Sequence, residues 1–268
     1  MIGFFRKKSF LLIFLGTVIG ALVGLYLNRG LFSVVLSIGM GMVVGYYVSI
    51  YLANKQVDQW NKILFQQGDP EKFIEIFMPV LEKTPKESLE YVDGHNKIAY
   101  AWEAQGEFDK ALECLAGLRP EKLRGSAMDG LITTYSNRVR IQLLREDIPG
   151  AETALEAMRE ATELAMLKNK RLGNAGRHYV RLYENWLLVL KEEISDDDFI
   201  AEEIKLSGNR IRNSELQLVL AKSYADQGEQ VLAQEMLLDA MTTGTGLWTE
   251  RRARELLQVE TTESKGSV

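Results

Sequence analysis

Few residues in this chain have the type and spacing to do chemistry. His95 and His178 are the two histidines; they stand 83 residues apart and have no Cys, His or motif partner close in sequence, so they form no metal-ligand pattern. Each is expected at a helix start or on the surface. Cys114 is the sole cysteine, which excludes an internal disulfide and any CxxC zinc pair. Its neighbours, Ala111-Leu112-Glu113 and Leu115, read as the interior of a helix with a buried structural thiol. Asp196-Asp197-Asp198 lacks the spacing and closing Glu of a calcium loop and reads instead as the solvated start of a helix. Gly244-Thr245-Gly246 has no Lys-Ser/Thr and follows no strand, so it is not a phosphate loop. No GxSxG, HExxH or kinase signature occurs. The residues therefore predict no enzyme, no metal and no cofactor.

The remaining polar cluster is basic. Lys168, Lys170, Arg171, Arg177, His178 and Arg181 are expected to span a helix end, a glycine-containing linker and the next helix start. Such a patch could hold acidic lipid or an acidic segment of a partner. The simpler reading is a solvated face whose cations complement a helix C-terminus. Arg251, Arg252 and Arg254 are read the same way.

The elements that would position these residues divide the chain. Residues 1–55 contain five basic and no acidic residues and carry two apolar runs, Ser9–Leu27 and Leu31–Ala53, separated by Asn28-Arg29-Gly30. A spanning helix needs roughly 20 mostly apolar residues, and only helices satisfy their backbone within lipid in so short a segment. Residues 1–55 are therefore expected to form a transmembrane hairpin in the lipid bilayer. Arg6, Lys7 and Lys8 before the first run and Lys55 after the second outnumber Arg29 in the link, which predicts both termini on the cytoplasmic side. A cleaved signal peptide fits less well, because no small-x-small site follows the long apolar run. Neither run contains a charge, which argues against an ion or proton path.

Gly16, Gly20 and Gly24 recur every four residues, and Gly41 and Gly45 repeat that spacing. Small residues on one helix face allow close backbone approach. The hairpin packing on itself is the first expectation. Assembly of a homo-oligomer or pore through the glycine faces is the alternative.

The rest of the chain holds 27 basic and 37 acidic residues, a net of −10, which disfavours nucleic-acid binding and favours a body held off an anionic leaflet. Two of its segments, 122 residues apart, align without gaps. Ile98–Leu118 and Leu220–Ala240 share Ala99/Ala221, Gln105/Gln227, Gly106/Gly228, Glu107/Glu229, Ala111/Ala233 and Leu115/Leu237, with Trp102 opposite Tyr224. Small residues suit helix crossings, and the glycines suit a left-handed helix end. Weaker copies use Leu64, Gly68, Phe73, Phe77, Val80 and Pro85, then Ala154, Met158 and Ala161 with Pro149-Gly150 at the turn after a helix over 126–145. Thr84-Pro85-Lys86-Glu87 reads as a helix start, and Arg177–Glu193 with the helix after Asp196 as a degenerate pair.

This pattern resembles the tetratricopeptide repeat, a helix–turn–helix unit with a small–aromatic–turn–Ala–large signature. The resemblance implies an all-α chain: a hairpin over 1–55, an α-solenoid of such repeats over 56–258 and a disordered tail over 259–268. It also implies a groove lined by the first helix of each pair, with Asn96, Tyr100, Glu103, Lys222 and Ala225 facing it and Lys62 joining from the weaker first copy. Glu103 and Ala225 depart from the family's Asn/Lys carboxylate clamp, which puts recognition of a free C-terminus in doubt. The expected function is a membrane-anchored adaptor or scaffold that binds a protein partner at the cytoplasmic face of a prokaryotic plasma membrane.

Overall fold

The computed structural model describes residues 6–26, 30–86, 88–119 and 128–266, and every regular element among them is helical. The chain forms two compact units. One comprises the chain through Lys62 together with 80–84, and the other comprises 63–79 and everything from Pro85 onward.

The first unit is built on α1 (Arg6–Tyr26) and α2 (Gly30–Asn61). Ser9–Tyr26 and Ser33–Gln66 have mean hydropathies of 2.2 and 1.7, long and apolar enough to cross a membrane. The glycines decide how α1 and α2 meet. A Cβ on Gly16 would lie 2.2 Å from the Gly41 carbonyl oxygen, and one on Gly41 would lie 2.1 Å from that of Gly16. Gly20 faces the Ser37 carbonyl, Gly24 the Val34 backbone and Gly45 the Leu12 carbonyl, all within 2.3 to 2.8 Å of such an added carbon. All five glycines are thus occupied between α1 and α2. The opposite faces leave Leu11, Phe14, Leu22, Val35, Leu36 and Met40 exposed.

The second helix continues into a π-helical turn, Lys62–Gln66, and then into α3 (Pro70–Leu81). Four helix pairs follow: α4 (Leu89–Ala104) with α5 (Phe108–Ala116), α6 (Met128–Leu144) with α7 (Ile148–Lys168), α8 (Lys170–Leu190) with α9 (Asp197–Leu206), and α10 (Arg210–Asp226) with α11 (Gln230–Thr243). The last helix, α12, runs Trp248–Gly266. Helical backbone therefore extends past Gln258, where the sequence predicts disorder.

One turn is repeated in all four pairs. After α4, the Glu107 amide donates to Trp102 O (2.9 Å) and the Gly106 amide to Glu103 O (2.8 Å). After α10, Glu229 donates to Tyr224 O (2.8 Å) and Gly228 to Ala225 O (3.0 Å). After α6 the bonds are Asp147 to Gln142 and Glu146 to Leu143; after α8 they are Glu193 to Leu188 and Glu192 to Val189. This six-to-one plus five-to-two pattern is a Schellman closure, which needs a left-handed residue. Gly106 (φ 84°) and Gly228 (φ 81°) supply it without strain, whereas Glu146 (φ 57°) and Glu192 (φ 59°) adopt it despite a Cβ. The aligned residues Ala99, Ala221, Ala111, Ala233, Leu115 and Leu237 are all buried. Burial of each leucine contributes roughly 1.5–3 kcal/mol.

Several local expectations shift. Ser88, not Thr84, caps α4: its hydroxyl accepts from Tyr91 N (3.1 Å), while Thr84 Oγ1 donates back to Val80 O (3.0 Å) at the end of α3. Glu87, and residues 126–127 of the helix expected over 126–145, lie outside the described residues. Pro149 and Gly150 sit in the first turn of α7, capped by Asp147, and the turn itself is centred on Glu146. No glycine linker follows Lys168; α7 and α8 are separated by Asn169, whose side chain accepts from Leu172 N (3.3 Å). Gly173 and Gly176 lie inside α8, where an added Cβ would fall 2.5 Å from Met166 Cα and 2.7 Å from Thr162 Oγ1. They serve the crossing of α7 and α8.

The last helix returns to the first pair. Arg251 donates to Gln105 O (2.8 Å), Trp248 meets Phe108 edge-on at 5.3 Å, and an added Cβ on Gly106 would lie 3.0 Å from Trp248 Cβ. Arg210, at the start of α10, donates to Gln67 O (2.7 Å) and to the carbonyls of Thr243 and Thr245.

Candidate functional site

The first helices of the pairs turn one face inward and build a polar cluster there. On α4, Asn96, Tyr100 and Glu103 are spaced by four and three and share a face. Thr134, Asn137 and Arg140 repeat the device on α6, and Glu215 enters from α10. Thr134 Oγ1 donates to Gly130 O (2.7 Å), Asn96 Nδ2 to Thr134 Oγ1 (2.9 Å), and Asn137 Nδ2 to Asn96 Oδ1 (3.0 Å). Arg140 Nη2 donates onward to Asn137 Oδ1 (3.3 Å) and Glu103 Oε2 (3.0 Å). Its Nε lies 2.8 Å from Glu103 Oε1 without hydrogen-bond alignment and 3.9 Å from Glu215 Oε2. The guanidinium sits over the Tyr100 ring, 4.0 Å from the centroid, and Tyr100 Oη accepts from Asn209 Nδ2 at 2.8 Å.

Two carboxyl groups with 0% exposure thus share one cation. Burial raises the Glu215 pKa well above the usual carboxylate range; the Glu103 charge adds to this, and Arg140 opposes it. Burial also raises Glu103, but its direct contacts with Arg140 oppose the shift. Burial would lower Arg140, yet Glu103, Tyr100 and Glu215 hold it well above its ordinary value. Burial disfavours ionisation of both carboxyls, and the nearer contact with Arg140 favours the charge on Glu103 over Glu215. The two carboxyls are hydrogen-bond partners, so a proton on Glu215 is donated to Glu103.

Two cavities meet this cluster. One of about 250 Å³ is bordered by Asn96, Tyr100, Arg140, Tyr183 and Arg212. The other, about 720 Å³, is bordered by Glu215 and by apolar side chains such as Phe108, Leu143, Trp186, Leu218 and Trp248.

The residues expected to grip a partner divide accordingly. Asn96 and Tyr100 border the smaller cavity but are buried, and Glu103 is wholly enclosed; none forms an exposed row. The face of α4 that carries them is covered by α6 and α10, which the sequence of α4 alone does not reveal. Lys222 and Ala225 border the larger cavity and remain half-exposed. Lys62 is exposed in the first unit.

In the basic patch, Lys168, Lys170, Arg171, Arg177 and Arg181 are exposed. Arg177 is paired with Glu163 (3.0 Å), and Arg181 with Asp196 (2.9 Å) while lying over the Phe199 ring. Lys168 complements the end of α7, whereas Lys170 and Arg171 occupy the first turn of α8, where the helix dipole opposes them. His178 Nε2 meets Glu203 Oε1 at 2.9 Å, and Arg212 holds the other oxygen of that carboxylate.

The other chemically capable residues are used structurally. His95 Nδ1 lies 3.0 Å from Tyr91 O, and desolvation lowers its pKa. His95 and Cys114 border one surface depression, but burial first and Glu113 second push the thiol up to about 11, against a nucleophilic role. Asp196 caps α9 through Phe199 N (3.1 Å), and Asp197 accepts from Ser195, Ser223 and Gln227. Among the described residues no group of three His, Cys, Asp or Glu side chains is disposed to hold a metal. The Gly246 amide is already taken by Glu250 Oε2 (2.7 Å). Arg140 and Glu215 were missed from the sequence; the signal available was a charge one turn before an apolar pair, Leu143-Leu144 and Leu218-Val219.

No family model, curated protein or solved structure matches this chain.

Proposed function

We propose that the protein is a membrane-anchored adaptor with a tetratricopeptide-like body that holds a protein partner at the cytoplasmic membrane face, acting by binding and local concentration. The observation that carries this reading is the four-fold repeat of one helix–Schellman turn–helix hairpin behind two apolar helices. The apolar residues exposed on α1 and α2 favour lipid over water as their surroundings. Arg6, Lys7, Lys8 and Lys55 set both termini on the cytoplasmic side. Anchoring raises the effective concentration of the body near membrane-bound partners. Because Asn96, Tyr100 and Glu103 are enclosed, the partner-facing positions reduce to the neighbourhood of Lys222 and Ala225.

The test is photocrosslinking in native membranes, with the probe at Lys222 or Ala225 and control probes at the exposed positions Glu160 and Glu235. One defined protein captured from both sites and from neither control is expected. Equal capture from sites and controls, or capture of lipid alone, overturns the adaptor reading.

A further inference from the structure

The crossing of α1 and α2 is closed by glycine along most of its length and opens at one end. From Gly24 opposite Val34 to Gly45 opposite Leu12, an added Cβ would lie within 2.8 Å of the other helix. Beyond Gly45 the next turns of α2 bring Ser49 and Ala53 to the seam, and a cavity of about 300 Å³ takes the place of close contact. Its polar lining is Ser9, Ser49, Lys55, Gln56 and Gln59. All five side chains can donate a hydrogen bond, and no carboxylate is among the lining residues. Asp58, the first acid in the chain, is exposed on α2 and lies outside the lining. The Ser9 hydroxyl is buried and without a hydrogen-bond partner, which makes this end of the seam polar; the donors open to a ligand are those of Lys55, Gln56 and Gln59.

The apolar runs set the depth of this cavity. Ser9 opens the segment Ser9–Tyr26, and Arg6, Lys7 and Lys8 precede it. On α2, Lys55 is the first charged residue after Arg29. The cavity therefore lies where hydrocarbon gives way to headgroups, at the end that holds four of the five cations of residues 1–55 and no acid.

We propose that this cavity binds the phosphate of a phospholipid of net negative charge, with the phosphate on Lys55 and the Gln56 and Gln59 amides and the acyl chains leaving past Leu12 and Leu52. Basic pockets between spanning helices on the cytoplasmic side suit anionic headgroups. About 300 Å³ is the lower end of the range for small-molecule sites, room for a headgroup with its chains outside, where Leu11, Phe14 and Leu52 are exposed. A headgroup that also carries an ammonium is disfavoured, because that cation would meet Lys55 with no lining carboxylate to offset it. The proposal rests on the membrane-spanning reading of α1 and α2 and is independent of the protein-partner reading.

The test gives the full chain in detergent equal amounts of phosphatidylglycerol and phosphatidylcholine with the same acyl chains, and native mass spectrometry reads the lipid retained. Phosphatidylglycerol is expected to be retained about tenfold over phosphatidylcholine, and excess inorganic phosphate should not displace it. Gln56→Glu, which puts a carboxylate in the lining at nearly unchanged size, should abolish the preference with helical content retained. Lys55→Gln should weaken it about fivefold, the worth of one cation at an anionic headgroup. Asn54→Asp makes the same change of charge on α2 at an exposed position outside the lining and should leave the preference in place. Equal retention of the two lipids, displacement by inorganic phosphate, or equal loss in Gln56→Glu and Asn54→Asp overturns the proposal. Alkaline extraction separates the two readings: release of the full chain from membranes overturns the spanning reading and the site with it, whereas a chain that stays in the membrane without lipid preference overturns the site alone.

Discussion

At the scale of single residues, the buried charges govern stability. Glu215 has a raised pKa in the fold, so its contribution is fully present below the unfolded carboxylate value and is lost as pH rises toward the folded one. Glu215→Gln removes that loss. In urea melts the variant should match the wild type near pH 4.5 and exceed it at pH 8. A parallel pH dependence in the two proteins would refute this. Arg140→Met acts in the opposite direction: it strands Glu103 and should destabilise by about 3–5 kcal/mol, whereas adding Glu103→Gln should recover much of the loss. A double-mutant cycle on unfolding midpoints measures that recovery. Arg140 and Glu215 were not assigned from the sequence, because a charged residue at helical spacing reads as a solvated face until the opposing helices are placed. Asn96, Tyr100 and Glu103 were expected to face an open groove and are buried for that reason.

At the scale of elements, turns and crossings were the most legible. Gly106 and Gly228 announced helix ends, and both take left-handed backbone. Glu146 and Glu192 close equivalent turns without the residue that would signal them, so their positions were read less sharply. Glu192→Gly should stabilise by up to about 1 kcal/mol, because the left-handed strain of an L-residue disappears. Gly106→Ala should destabilise by about 1–2 kcal/mol from the same strain, and its Cβ also meets Trp248 at 3.0 Å. Chemical denaturation of both variants checks the opposite signs. In the hairpin, Gly41→Leu cannot keep the present contact, since even a Cβ would lie 2.1 Å from Gly16 O. Cysteine crosslinks between α1 and α2 placed beside that crossing should fall sharply; undiminished crosslinking would show that the glycines do not set the approach.

At the scale of the molecule, helices from both ends of the second unit meet: Arg251 reaches Gln105, and Trp248 packs on Phe108. Ending the chain at Gly246 should lower the unfolding midpoint and broaden the transition, because the first pair loses its partner. A fragment over 56–268 should remain helix-rich by circular dichroism and leave the membrane fraction, while the full chain resists alkaline extraction. A β-rich spectrum would contradict the all-helical fold. By itself the sequence determined the helical class, the two long apolar segments and the repeated hairpin, since each follows from local patterning: run length, apolar period and turn residues. Tertiary structure alone decided which charges are buried, how Arg140 is shared between Glu103 and Glu215, and that α12 returns to the first pair. Those features join residues as far as 146 positions apart, and their energies depend on desolvation by neighbours that no local pattern contains.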